Sequence, residues 1–375
     1  MPQPIASPER IPPPEAAFCS IFLGQRARLQ QCRIQQTRRL QTSFLNQLAW
    51  SSDPQANSQI LLWLGLFPVN LRIIPEPQLL RRQINTISTN LNGSYKQLLQ
   101  AMILDPALQL SLNGTSNKRN KPNENLAREL LELFSLGEGN YTEADVIEAA
   151  RALTGYRLDQ DKRIVLEPEQ HDPLEKTILG RRFAFDAPSL VAWLCEQPAT
   201  ARNITARVWR RLIGPQPSRA TLGALASGWH RQKLSIPWLI QAITKTEEAR
   251  AHKGERLIDP IEMVVKSLRL IGSRHPDAID ISLQGLRAMG QPFLEPPSVK
   301  GWPENEQWLQ FRWLEARRST LQRLLSNEEV WESARPPSLL ELTLTPIQPL
   351  NLTLPAPASP TNISRLFADP VWQLA

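Results

Sequence analysis

Apolar residues recur at helical spacing through most of the chain. They fall three and four positions apart, and Gly, Pro or Asn-Gly breaks separate one such run from the next. The pattern predicts helices over residues 59–67, 75–90, 94–104, 199–213, 219–229, 236–246, 260–271 and 276–289. Residues 157–184 differ, because short apolar runs flank a polar turn there. We therefore expect a mostly α fold, a multi-helix single large domain with a small irregular or β-hairpin lobe near 157–184.

The most regular helical pattern lies between residues 121 and 156. A proline suits the first turn of its first helix, and the leucines that follow form one broad apolar face. Thr142 begins the second helix, with Asp145 three residues later as in a capping box. The opposite face of the first helix carries polar residues about one turn apart: Asn125, Glu129 and Glu132. These side chains either form a structural network or face a shared polar cavity, and the pattern leaves both interpretations open.

Composition changes twice along the chain. Residues 1–14 are rich in proline, and we expect them to be disordered. Residues 15–330 carry the helical pattern and form the predicted domain. Residues 331–375 contain many prolines and few charges, which predicts an extended or disordered tail that is not packed. A short helical piece at 363–368 could still dock on the body.

The formal net charge of +7 is strongly biased towards arginine. Of 43 basic residues only ten are lysine, which leaves 33 arginines. One helical stretch, ending at about Trp50, has no acidic residue and carries five arginines: Arg26, Arg28, Arg33, Arg38 and Arg39. Such a face can contact phosphates or anionic lipid. Because no aromatic residues are interleaved with the arginines, we favour an ordinary solvated face and do not expect nucleic acid as a partner.

Two features bear on location. No run of eighteen apolar residues occurs, so we expect no membrane span, and the N-terminus lacks the basic end and apolar core of a signal peptide. Cys19, Cys32 and Cys195 are scattered and odd in number, which predicts neither a metal site nor a disulfide framework. Both features favour a cytoplasmic protein in a reducing compartment.

Several motifs occur in a fixed order. Residues 121–156 read KPNENLARELLELFSLGEGNYTEADVIEAARALTGY, and His171-Asp172 is followed by Lys176 and Leu179-Gly180. A late loop then contains GQP at 290–292 and PPSVKGWP at 296–303. This series resembles the bacterial domain of unknown function 1800 family (DUF 1800). The resemblance covers about residues 62–325 and leaves the basic helix and the Pro-rich tail outside it.

One departure from the family's pattern concerns metal chemistry. Members of the family usually carry a WHxHF motif, whereas this chain has Leu64 and Leu66 at the two histidine positions. Paired histidines are plausible ligands for a divalent metal, and leucine cannot replace them. The remaining metal candidates could hold a hard cation through their oxygens: Glu129, Glu132, His171 and Asp172. A hydrolytic zinc site with three ligands is not expected.

Two functions of different class remain open. In the first, the protein binds a partner protein or polymer, since members of the resembled family are often encoded beside sulfatase-like proteins, which implies a shared assembly. In the second, it is a metal-assisted, hydrolase-like enzyme that uses Glu129, His171 and Asp172 around a divalent cation. The leucines at positions 64 and 66 favour the first. Four further residues are candidates for binding: Asn125, Arg128, Lys176 and Lys300. His171, in a loop next to Asp172, is interpreted equally well as functional or as structural.

Overall fold

Helices supply nearly all of the regular structure in the first part of the chain. The computed structural model describes residues 19–22 and 24–375, so the predicted disordered segment 1–14 lies outside the described residues. Seven α-helices precede the first strand in these residues: α1 (Arg26–Trp50), α2 (Pro54–Leu66), α3 (Pro77–Asn90), α4 (Tyr95–Ile103), α5 (Pro106–Ser111), α6 (Asn125–Glu132) and α7 (Glu143–Ala152). The predicted helical character of this region is confirmed.

Ten helices follow the predicted lobe. They are α8 (Ala187–Glu196), α9 (Pro198–Leu212), α10 (Arg219–Arg231), α11 (Ile236–Lys245), α12 (Glu247–Ala251), α13 (Pro260–Ile271), α14 (Pro276–Ala288), α15 (Phe311–Ser326), α16 (Glu328–Glu332) and α17 (Pro360–Ala368). The mostly α fold class is therefore confirmed. Within the part of the chain that the structure describes, no helix combines the length and the apolar character needed to cross a bilayer.

The strands form three small antiparallel pairs. Two pairs make up the hairpin lobe, which we define as residues 156–183: β1 (Tyr156–Leu158) with β2 (Ile164–Leu166), and β3 (Lys176–Ile178) with β4 (Arg181–Phe183). This lobe is the one predicted near 157–184. The third pair joins β5 (Leu339–Leu340) to β6 (Ala356–Pro357) in the tail.

Many of the helices begin at a residue whose side chain accepts a free N–H group of the first turn. Ser94 Oγ accepts from the Gln97 amide at 3.3 Å, and Gln97 Oε1 accepts in return from the Ser94 amide at 2.9 Å. Thr142 and Asp145 form the predicted capping box of α7, at 3.2 and 2.8 Å. Each such cap stabilises its helix by about 1 kcal/mol. Local sequence therefore determines where these helices start.

An aromatic cluster around Tyr95 joins the helices of the core. Trp63, Phe67 and Trp229 lie with their ring centroids 5.5, 6.3 and 5.7 Å from that of Tyr95. The Tyr95 hydroxyl donates to the carbonyl oxygen of Phe134 at 2.7 Å, so its polar end is also satisfied. The cluster packs α2, α4 and α10 together and fixes the chain that follows α6.

The Pro-rich tail is packed, which corrects the prediction of an extended or disordered segment. Ile363, Leu366 and Trp372 are fully buried, and Trp372 Nε1 donates to Ser267 Oγ on α13 at 3.0 Å. The prolines fail to prevent packing because two of them, Pro360 and Pro370, stand at helix starts, where no backbone N–H is needed, and the apolar residues between the prolines reach the core. The short helix expected at 363–368 does dock, as α17. That residues 15–330 form a domain by themselves stays a prediction.

A disulfide joins Cys19 to Cys32, so the expectation of no disulfide is wrong. The two residues are 13 apart in sequence, and residues 19–22 fold back against α1 to bring them together. Cys195 stays a free thiol, and burial raises its pKa to about 12. The argument for a reducing compartment loses its support, and the cytoplasmic location stays a prediction.

Candidate functional site

Asp172 lies at the junction between α7 and the hairpin lobe, and its polar groups are used within the protein. Arg151 Nε donates to Oδ2 at 2.8 Å, and the Leu174 amide donates to Oδ1 at 2.9 Å. Its own amide donates to Thr154 Oγ1 at 2.8 Å. Burial alone would raise the pKa of Asp172, but the hydrogen bonds from Arg151 and Leu174 outweigh burial and lower it. An ionised Asp172 therefore holds the lobe on α7.

His171 takes part in the same junction. Its Nδ1 lies 2.9 Å from the carbonyl oxygen of Thr154, and because a carbonyl only accepts, Nδ1 carries the proton. The backbone of His171 lies against Gly155, where an added Cβ would come within 2.8 Å of the His171 nitrogen. These contacts account for the His-Asp pair as part of the packing between α7 and the lobe. A catalytic role for His171 stays a prediction.

Lys176 is buried inside the hairpin lobe. Its ammonium group donates to the carbonyl oxygens of Asp172 and Phe185, the latter at 2.9 Å. Burial lowers the pKa of Lys176, while the negative charge of Asp172 opposes the shift. Two main-chain carbonyls thus occupy the donors that we had assigned to a ligand, and ligand binding by Lys176 stays a prediction.

Glu129 and Glu132 form a second, separate cluster on α6. Lys300 Nζ, from the late loop, lies 3.4 Å from Glu132 Oε1, and the Tyr141 hydroxyl donates to Glu132 Oε2 at 3.3 Å. The carboxylate of Glu129 has neither a hydrogen bond nor an ion pair with any residue that the structure describes, whereas its backbone carbonyl oxygen accepts from the amides of Leu133 and Phe134. Burial, and then the charge of Glu132, raise the pKa of Glu129. The structure therefore brings together three of the predicted residues, Glu129, Glu132 and Lys300.

Asn125 and Arg128 contact neighbouring segments of the same polypeptide. Asn125 Nδ2 donates to the carbonyl oxygen of Leu112 at 3.2 Å. Arg128 makes a bidentate pair with Glu143 of α7, with both distances at 2.7 Å, and also contacts Glu124 at 3.2 Å. Both residues thus stabilise the start of the α6–α7 unit, and partner binding by them stays a prediction.

The four metal candidates divide between these two clusters. Among residues 19–22 and 24–375, no three His, Cys, Asp or Glu side chains are grouped so that they could hold one ion. The site expected to combine Glu129, His171 and Asp172 is therefore not assembled. Leu66 is buried in the core, and Leu64 lines a cavity of about 30 Å³ whose wall is mostly apolar but also includes Arg211 and Asp259.

A groove of about 570 Å³ lies elsewhere, between α1, α14 and the segment before α3. We call it the arginine groove, because four arginines line it: Arg33, Arg38, Arg72 and Arg287. Apolar side chains also line it: Ile34, Leu71, Ile74, Leu283 and Phe293. Phe293 stacks on Phe44 of α1, with ring centroids 5.6 Å apart, which ties the late loop to the groove.

Three of the four arginines are held by two carboxylates. Glu295 accepts from Arg72 at 2.6 Å and from Arg287 at 3.0 Å, and it is almost fully buried. Arg38 pairs with Asp280 at 2.7 Å. Arg33 is exposed and has no ion pair within the described part of the chain. Four guanidinium groups facing two carboxylates leave the groove positively charged, and their exposed N–H groups suit carboxylate or phosphate oxygens.

Sequence reasoning found only part of this groove. The acid-free arginine stretch identified Arg33 and Arg38 on α1. Arg72, Arg287 and Glu295 were missed, because nothing local marks them and they join α1 only in the folded protein. The one available signal was the late loop, which contains Glu295 beside the family-like GQP and PPSVKGWP motifs.

Comparison with known proteins identifies the family. No significant match was found among curated proteins or among solved structures. The family model described as protein of unknown function, DUF1800, matches residues 5–369 of the 375 in the chain. The match includes the basic helix and nearly all of the Pro-rich tail, both of which we had placed outside the resemblance. The chain belongs to the DUF1800 family.

Proposed function

We propose that this chain is a binding protein that seats an acidic segment of a partner protein in the arginine groove. One observation carries the proposal, namely four arginine side chains around an open groove of about 570 Å³ that also has apolar walls. Grooves of this size hold a few side chains of a ligand. A short peptide segment is therefore a suitable occupant.

The charges in the arginine groove indicate which side chains that segment carries. Asp280 and Glu295 neutralise two of the four guanidinium groups. Arg33 is left to pair with a partner, and the half-exposed Arg72 and Arg287 keep outward N–H groups. Arginine binds carboxylates in a bidentate manner, so glutamate or aspartate side chains fit these positions.

Apolar contacts favour a polypeptide over a nucleic acid. Ile34 is 60% exposed on the wall of the groove, and Ile73, just beyond the groove, is 62% exposed. Isoleucines at such positions bury apolar side chains of a partner, whereas phosphate backbones give them nothing to contact. We infer an acidic segment with interspersed apolar residues. The sulfatase-like protein encoded beside family members is the first partner to test, and an assembly with it is the proposed biological role.

Binding is measured with the full chain and a fluorescent peptide rich in glutamate and leucine. Arg33→Glu places a carboxylate where the groove needs a donor, and we expect it to weaken binding roughly tenfold or more, because a like-charge contact replaces an attractive one. Arg39→Glu is the matched control. It makes the same charge change on the same helix but lies outside the groove, so affinity should change little.

The same variants are then tested against the recombinant sulfatase-like neighbour and against duplex DNA. Salt should weaken the peptide complex, since the pairing is partly exposed. Equal effects of Arg33→Glu and Arg39→Glu would show that only general charge attraction holds the peptide, and would refute its binding in the arginine groove. Tight binding of DNA with no binding of the peptide would show that the partner is a nucleic acid and would refute the proposed acidic protein segment.

A further inference from the structure

A second cavity, of about 480 Å³, lies between α2, α13 and the packed tail. We call it the tail cavity. Apolar residues from all three elements line it: Leu61, Val265, Leu344, Pro346 and Leu374. Because the tail forms one wall, this cavity exists only when residues 343–375 are docked. It shares no lining residue with the arginine groove.

The tail cavity is rich in cationic groups. Four basic side chains line it: Lys253, Arg256, Lys266 and Arg269. The acidic side chain on its wall is Glu262, which Arg256 already holds at 2.6 Å, and the Ala375 oxygen on the same wall accepts from the Gly254 amide at 2.7 Å. The basic side chains outnumber the acidic groups, so the wall favours an anionic ligand.

Two guanidinium nitrogens on this wall are also unpaired. The Nε atoms of Arg256 and Arg269 are buried and have no hydrogen-bond partner in the described residues. Arg269 uses Nη2 to bind the carbonyl oxygen of Leu48 at 2.8 Å, which fixes the guanidinium plane against α1. The two buried Nε atoms are themselves out of reach of a ligand, so these arginines contribute to the cavity wall through the positive charge of their guanidinium groups, which favours a carboxylate or phosphate.

Lys266 also lines the tail cavity, and its side-chain amine is a nucleophile when it is neutral. Its Nζ lies 4.1 Å from the ring centroid of Trp372 and 3.4 Å from the Trp372 carbonyl oxygen. The long hydrogen bond binds the amine only weakly. Burial lowers the pKa of Lys266 to about 8, although the charge of Glu262 on the same helix opposes the shift. A large fraction of this amine is therefore neutral in mildly alkaline solution.

We propose that the tail cavity is a ligand site in which Lys266 captures an anionic aldehyde or ketone as an imine. The amine lone pair attacks the carbonyl carbon and a C–N bond forms. The carbonyl oxygen takes up two protons, one of them from solvent and one from the nitrogen, and leaves as water. The product is a protonated C=N bond to Nζ, and no oxidant or reductant is needed. Buried lysines with a lowered pKa perform this chemistry elsewhere.

The residues around Lys266 indicate which other groups the ligand carries. Lys253 and Arg269 face the anionic group, and the leucines and prolines accept a small apolar body. The proposal requires the docked tail, because the amine of Lys266 packs against the ring of Trp372, a buried residue of that tail. It is independent of partner binding in the arginine groove.

The probe is pyridoxal 5′-phosphate, an aldehyde that carries a phosphate. The full chain is incubated with it at about pH 8, the imine is reduced with borohydride, and the ten lysines are compared by mass spectrometry. We expect Lys266 to be modified roughly tenfold faster than the other lysines. Its neutral fraction is roughly a hundredfold larger than that of a lysine with the ordinary pKa, and lower intrinsic nucleophilicity offsets part of that advantage. The pKa of Lys176 is also lowered, but its amine is enclosed by the carbonyl oxygens of Asp172 and Phe185.

Two variants define the site. Lys266→Arg keeps the positive charge and should abolish the fast modification. Lys253→Gln, at an exposed position, should leave the fold intact and slow the reaction with pyridoxal 5′-phosphate more than the reaction with the uncharged pyridoxal. Uniform modification of all lysines would overturn the proposal, even if Lys266→Arg failed to fold. Equal rates for the charged and uncharged aldehydes would refute the anion preference.

Discussion

Single residues hold the hairpin lobe through contacts that other side chains would disrupt. Gly155 has φ +86° at the end of α7, and its amide donates to the Asn117 carbonyl oxygen at 3.0 Å. The backbone of His171 passes so close that only glycine fits. The LTG and His-Asp motifs of the family-like pattern therefore meet in space. Their presence in one sequence is explained by packing before any chemistry is invoked.

Replacing this glycine should destabilise the protein more than replacing a glycine with the same backbone. Gly155→Ala adds both the cost of a left-handed conformation and a clash with backbone, and we expect a loss of about 3 kcal/mol in the free energy of unfolding. Gly139→Ala is the control, since Gly139 has φ +80° and nothing lies within 4 Å of an added Cβ. It should lose only about 1 kcal/mol. Equal losses in urea unfolding would show that the close contact with His171 is unimportant.

At the scale of elements, a network of hydrogen bonds joins α7 to the hairpin lobe. Asp145 Oδ1 accepts from the Leu179 amide at 2.7 Å, and Glu148 Oε2 accepts from the Thr177 amide at 3.1 Å. The contact between Arg151 and Asp172 completes the series along the helix. One helix face thus binds the second hairpin and the segment that leads into it, which fixes that part of the lobe on α7.

Asp172→Asn tests this network and its dependence on pH. The folded pKa of Asp172 lies below its unfolded value, so its stabilisation is fully present above the unfolded pKa of about 4 and is lost as pH falls through the folded pKa. We expect the variant to be less stable by about 2 kcal/mol at neutral pH, with the difference shrinking below about pH 4. Asp161→Asn, in the exposed turn of the first hairpin, should be nearly neutral. A difference that persists unchanged in acid would argue against an ionic role for Asp172.

Elements were predictable where their signals are local. The range 260–271 coincides with α13, and Thr142 with Asp145 marks the start of α7, because helix periodicity and caps depend on residues three and four apart. The tail was mispredicted because its composition is also a purely local signal. Its proline content says where α-helices and strands are interrupted, but it does not say whether the apolar residues between prolines find a buried surface.

For the whole molecule, the tail completes the core. Trp372 is fully buried against α13, and Arg317 of α15 donates to Gln373 at 2.9 Å. The tail therefore bridges α13 and α15. It also closes the tail cavity, so stability and the proposed ligand site depend on the same contact.

Trp372→Ala should cost about 3–5 kcal/mol of unfolding free energy, because it leaves a large cavity in the core. Leu350→Ala is the control from the same tail, since Leu350 is 82% exposed, and it should change stability by less than about 0.5 kcal/mol. Thermal unfolding of both variants measures the difference. A stable Trp372→Ala protein would mean that the tail is dispensable for the fold.

The sequence by itself determined the helical class, the position of the lobe, most helix starts and the family, because these depend on periodicity, caps and motifs that are local in the chain. Only the tertiary structure decided which distant residues share a site. It grouped no three His, Cys, Asp or Glu side chains around one ion among the described residues, joined Arg33 to Arg72, Arg287 and Glu295, and laid the tail over Lys266. The physical reason is that such groupings follow from how whole helices pack, and helix packing depends on buried surfaces that no single segment contains.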